Sequence, residues 1–240
     1  MDWYLAIRRN REALIRVLAA LFALVGLEDR QFDRGQPGSA LAAESRLPRH
    51  LHAHARRILR AVESAIRRLI VIASRDVAVQ LRPAGERPDL TALRKGNDPA
   101  DAQAVIRIPA FPLLDPLRSL SFDPPRRASE FMPRICVVGV SEPTPIPEEP
   151  VLTPDDPVYA AGLHLRLLSS RRALKNLPRE ARRLARWQAR NKLKLRPRRF
   201  SPLRIGYPPG KRKRSTHLVD DILKECQALA LDVLGPHDTS

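Results

Sequence analysis

The sequence predicts a mainly α-helical protein: an N-terminal helical pair, a proline-rich irregular middle with at most short strands, and basic C-terminal helices. Three observations predict it. Apolar residues recur at helical spacing over residues 2–27, 50–75 and 215–234. Fifteen of the 23 prolines fall between Pro83 and Pro157, and each fixes φ and removes a backbone donor, which keeps regular structure there short. The chain is 43% hydrophobic over 240 residues, enough to bury a core and too much for wholesale disorder. The expected regions are 1–75, 76–157 and 158–240.

Residues 2–27 place Trp3, Ile7, Leu14, Leu18, Leu21, Phe22 and Val25 on one side at 100° per residue, with Arg8, Arg9, Glu12 and Arg16 opposite. Arg11 interrupts the apolar side. No charge falls between Val17 and Leu27, but that run is shorter than the roughly 20 apolar residues a bilayer span needs. A buried or partner-packed helix, a membrane-surface helix, and a span or signal segment all remain open here. Residues 28–49 read as a polar loop punctuated by Gly35, Pro37, Gly38 and Pro48.

Residues 50–75 carry the cleanest helical period. Leu51, Ala55, Ile58, Leu59, Val62, Ala65, Ile66, Leu69 and Ala73 form the stripe. Arg56, Arg57, Arg60, Glu63, Ser64, Arg67 and Arg68 lie opposite, with Glu63 and Arg67 spaced to pair. The 2–27 helix is the nearest partner for this stripe, giving an antiparallel pair. In the middle region, 105–108 and 135–140 are candidate short strands. Residues 141–157 are acidic and proline-rich and read as an extended linker, able in principle to fold back on basic residues.

Residues 155–193 read as two helical pieces. Asp155 or Asp156 is the expected cap of the first, with Pro157 in its first turn; Pro178 starts the second, with Asn176 or Leu177 near the cap. The last helix is expected over 215–234, capped by Ser215 or Thr216. Its inward residues are Leu218, Val219, Ile222, Leu223, Cys226, Leu229, Ala230 and Val233, and Gly235-Pro236 stops it.

The formal net charge is +17. Residues 165–214 hold 19 Lys and Arg and one acid, Glu180, a local net of +18; the rest of the chain has 24 bases and 25 acids, a net of −1. Codon bias toward arginine would not strip acids from one stretch, so this segment is expected to meet an anionic partner. After Pro178, Arg179, Arg182, Arg183, Arg186 and Arg190 fall within one helical face. Their mutual repulsion is offset by an anion, and guanidinium forks suit phosphates. Arg198 and Arg199 continue the run to Lys211, Arg212, Lys213 and Arg214, with Trp187, Phe200 and Tyr207 interleaved. Trp187 sits near Leu184 and reads as core rather than as a stacking ring.

Other patterns carry less. His50, His52 and His54 put only the first and last on neighbouring helical positions, with no carboxylate or thiol to complete a metal site. The stretch from Gly206 to Arg212 has the wrong glycine spacing for a phosphate loop, two prolines in place of amide donors, and Arg212 where a hydroxyl residue belongs. Asp220-Asp221 and Glu148-Glu149 read as solvent-facing. The two cysteines, Cys136 and Cys226, have no metal or disulfide spacing.

The stretch Leu177-Pro178-Arg179-Glu180-Ala181-Arg182-Arg183-Leu184-Ala185-Arg186-Trp187, together with residues 206–214 and the helix after them, resembles the C-terminal part of a group of small basic bacterial proteins of unknown function. The resemblance covers about a quarter of the chain. It implies a bacterial source and brings no activity or residue roles with it.

The expected function is therefore non-enzymatic: no active-site order, metal or cofactor is read. The basic segment 165–214 binds an anionic polymer, DNA or RNA, in preference to an anionic membrane surface. The alternatives are a peripheral or N-terminally anchored membrane protein, or an adaptor docking a protein partner through the proline-rich middle. The expected location is the cytoplasm, with attachment to the inner face of the membrane as the variant.

Overall fold

Burial on every side marks one helix as the axis around which the other described helices pack. In the computed structural model, which describes residues 2–27, 45–81, 108–117, 153–193 and 201–235, every residue from 61 to 72 is buried. This stretch is the second half of α2 (Arg49–Ala73). A helix apolar or paired all round belongs in a core rather than on a surface. Around it pack α1 (Trp3–Leu24), α3 (Ala161–Lys175), α4 (Leu177–Lys192) and α5 (Leu218–Leu234). The fold is mainly α, and the described elements belong to one compact unit with one apolar core.

The expected stripe of α1 is the buried one: Leu14, Leu18, Leu21, Phe22 and Val25 lie in the core, and Trp3 and Ile7 pack against it. The Asp2 carboxylate accepts from the Leu5 N–H at 3.1 Å and caps the helix. Arg11, which interrupts the stripe, donates to the carbonyls of Leu174 (2.9 Å) and Lys175 (3.3 Å). These are orphan acceptors at the end of α3, where a cation is favoured. Across the molecule, Arg9 and Asn10 both donate to Glu225 of α5.

Several expectations are corrected. Glu63, Ser64, Arg67 and Arg68 are not on a solvent face but buried, Arg68 completely. Segments remote in sequence cover that side of α2. Asp115 takes Arg68 Nη2 at 2.8 Å and Arg67 Nη1 at 3.4 Å. Glu63 takes Arg166 through two 2.8 Å bonds and also sits 3.6 Å from Arg67, the pairing its spacing suggested. Asp115 in turn holds residues 201–204: its N–H donates to the Pro202 carbonyl at 2.9 Å, and its carboxylate accepts from the Arg204 N–H at 3.3 Å.

The described sheet is a two-stranded antiparallel ribbon, β1 (Arg46–Pro48) against β2 (Pro157–Tyr159), in the register Arg46–Tyr159, Leu47–Val158 and Pro48–Pro157. Both strands fall where a loop and a helix start were expected. Prolines at the paired ends keep the ribbon to three residues each. Neither Asp155 nor Asp156 is therefore at the N-cap of α3, which Ala160 occupies. Of the candidate strand 105–108, Ile108 alone is described, outside any strand and against the core; 135–140 lies outside the described residues.

The break at Pro178 is as expected, with Asn176 as the α4 cap position. His217, not Ser215 or Thr216, caps α5, and Asp220 accepts from the N–H groups of Thr216 (3.1 Å) and His217 (3.3 Å). Asp220 is thus a capping group rather than a plain surface acid, and Asp221 accepts from Ser215 Oγ at 3.1 Å. Leu218, at the edge of the stripe in the first turn, is exposed rather than inward. Val219, Ile222, Leu223, Cys226, Leu229 and Ala230 are buried as expected. Burial pushes the Cys226 thiol up to about 12, helped by Glu225, so it stays protonated.

Candidate functional site

The arginine stripe is carried by α4, whose other side anchors it. Leu177, Ala181 and Leu184 are buried, and Trp187 packs half-buried against the core. Opposite them, Arg179, Arg182, Arg186 and Arg190 are exposed. Among the described residues no carboxylate pairs with any of the four. Two open concavities run along this face. One, of about 460 Å³, is lined by Lys175, Asn176, Pro178, Arg179, Arg182 and Arg186. The other, of about 420 Å³, is lined by Gln80, Leu81, Arg186 and Arg190. Arg186 belongs to both, so the stripe is continuous over about 16 Å of helix.

Arg183 shares the stripe's phase but is employed differently. Its guanidinium sits 2.7 Å from Glu180 and also donates to the Phe111 carbonyl. Glu180 is buried. The single acid of residues 165–214 is thus spent on Arg183, and does not neutralise the exposed face.

The remaining expected residues divide. Arg198 and Arg199 lie outside the described residues. Lys213 and Arg214 are exposed, while Lys211 and Arg212 line a third and larger concavity, of about 780 Å³. Its other wall is the outer face of the first half of α2: Arg49, His52, Arg56, Arg57 and Arg60. No sequence pattern linked these arginines to Lys211 and Arg212. The one available signal was that both stretches are basic and free of acids. Burial and the neighbouring Arg56 guanidinium hold the His52 imidazole below its ordinary range.

The other candidates resolve simply. His50 Nδ1 lies 3.0 Å from the Pro154 carbonyl and 3.3 Å from Asp155, and the His54 ring meets the His217 ring edge-on at 5.5 Å. Among the described residues no group of three or more His, Cys, Asp or Glu could hold a metal ion. Tyr207 is exposed, with Lys211 Nζ 4.3 Å from its ring centroid. No described helix is long and apolar enough to cross a membrane.

Comparison with protein-family models, with curated proteins and with solved structures finds no match. The reading of the site rests on its own geometry.

Proposed function

We propose that this is a non-enzymatic nucleic-acid-binding protein whose basic segment 165–214 tracks phosphates. One observation carries the reading: among the described residues, four arginines stand along one face of α4 without a carboxylate partner, while the only acid of the segment is turned inward to Arg183. Like charges at i,i+4 destabilise an isolated helix by a few tenths of a kcal/mol each. Here α4 is held by its buried side, which keeps the cations in place until an anion offsets them. Planar guanidinium groups donate paired hydrogen bonds to phosphate oxygens. Since phosphate contacts position without specifying, binding is expected to be largely independent of sequence.

The test is fluorescence anisotropy with a labelled single-stranded oligonucleotide over a range of salt. Each neutralised phosphate on a single strand contributes about −0.7 to the slope of log K against log salt. Arg182→Gln/Arg186→Gln should therefore weaken binding and flatten the slope by about 1–1.5. Affinity indifferent to salt, or unchanged in that variant, overturns the reading. Vesicles with anionic lipid are the parallel arm: tighter binding to them than to the oligonucleotide would assign the stripe to a membrane surface. In that case the contact is made by basic faces, since the main apolar stripe of α1 is already packed in the core.

A further inference from the structure

We propose a second anion site, separate from the α4 stripe: the cleft between the outer face of α2 and the turn at 208–212, which takes a ligand carrying a run of adjacent phosphates. Six cations line it: Arg49, Arg56, Arg57 and Arg60 from α2, Lys211 and Arg212 from the turn. Among the described residues no acid lines it and none of the six is in an ion pair. Arg49 Nε is out of solvent without a hydrogen-bond partner, a donor left to be satisfied.

The cleft is built rather than incidental. Gly210 has φ +88°, and a Cβ there would lie 2.8 Å from the Ala61 nitrogen and 2.9 Å from its Cα. The turn thus rests directly on the backbone of α2, at an approach open to glycine alone. Pro208 and Pro209 beneath it are buried, and the Lys211 N–H closes the turn on the Pro208 carbonyl at 3.2 Å. Arg212 is steered by a 2.6 Å bond to Thr216 Oγ1. At the other end, the Arg49 and His50 N–H groups donate to the carbonyls of Asp156 and Pro154, both at 2.9 Å.

Shape and charge select the ligand class. The volume, about 780 Å³, is within the range of small-ligand sites, about 300–1,000 Å³. An apolar ligand has nothing to displace here but hydrated cations. Arg49 to Arg60 spans about 16 Å along the helix, so the cations form a row suited to a linear series of phosphates rather than to one. Two prolines remove the amides that a phosphate loop would use, so side-chain cations supply the contacts. The same chemistry is offered by a free oligophosphate and by the backbone of a nucleic-acid strand.

Isothermal titration with tripolyphosphate tests the site on the full chain. Wild type should bind. Arg56→Gln/Arg60→Gln, two exposed positions, should weaken binding by about tenfold or more; Lys211→Gln, on the other wall, should weaken it in the same direction. Arg182→Gln/Arg186→Gln should leave it within about twofold, since separate sites act independently. Equal losses in the cleft and α4 variants, or no loss in the cleft variant, overturn the site. Circular dichroism of each variant checks the fold. Displacement of a bound oligonucleotide by tripolyphosphate assigns the phosphates to a nucleic-acid strand. Tripolyphosphate binding without displacement assigns them to a small phosphorylated ligand. The α4 variant reports on the stripe and the cleft variants on this site, so the two readings fail separately.

Discussion

Arg68 and Asp115 show how much rests on single residues. Both side chains are wholly buried and meet at 2.8 Å. Arg68 also donates to Ser64, through its carbonyl at 2.8 Å and its hydroxyl at 2.7 Å, and to Gln227 of α5. Removing one partner of such a pair strands a charge, at a cost of about 3–5 kcal/mol, whereas replacing both by apolar groups is far less damaging. Asp115→Ala should therefore destabilise by about 3–5 kcal/mol in urea titrations, and Arg68→Met/Asp115→Leu by clearly less. A single-variant loss below about 1 kcal/mol would show that Arg68 is not held by Asp115 in solution. The sequence places Arg67 and Arg68 correctly in helical phase, on the side of α2 away from its apolar stripe. What it does not reveal is that residues 108–117 and 201–204 cover that side, because nothing local in α2 encodes its distant cover. Arg11 is a similar case: it looks like a flaw in an apolar stripe, and its reason lies at the end of another helix.

At the scale of elements, legibility follows periodicity. The helices of 2–27, 50–75 and 215–234, the break at Pro178 and the α4 stripe all depend on spacing within one segment. The β1–β2 ribbon and the α2 cleft depend on which segments meet. The residues around Gly210 look like a failed phosphate loop, and Arg56, Arg57 and Arg60 look like an ordinary polar face. Their meeting follows from one close contact. Gly210→Ala should strain the left-handed backbone by about 1–3 kcal/mol, and its Cβ would overlap the backbone of α2 besides. The expected result is a lower melting temperature together with weaker tripolyphosphate binding, as Lys211 and Arg212 lift away from α2. Unchanged melting with unchanged binding would mean the turn does not rest on Ala61. A fall in melting temperature with full binding would separate the turn's stabilising contact from the ligand site.

For the whole molecule the question is whether N- and C-terminal helices fold as one. Sequence reasoning pairs 2–27 with 50–75 and sets the basic C-terminal helices apart. In the structure α2 packs against all four other helices, α1 contacts both α3 and α5, and their buried residues form one core. The α2 stripe is wider than α1 alone can cover, so the C-terminal helices complete it. A core shared in this way predicts one cooperative unfolding transition for these elements. The two tryptophans report on opposite parts of the chain: Trp3 on α1, with the Arg75 guanidinium 4.7 Å from its ring centroid, and Trp187 on α4 against the core. In Trp3→Phe and Trp187→Phe variants, the remaining fluorophore should report the same urea midpoint as far-UV circular dichroism, within each variant. An α1 signal lost at lower urea than the α4 signal would show that the first helix docks onto a core able to stand without it. Coincident midpoints would mean that both basic surfaces are displayed by a single folding unit, so a variant that unfolds one must be expected to lose the other. Replacing exposed cations such as Arg56, Arg60, Arg182, Arg186 and Lys211 should instead leave the shared core intact.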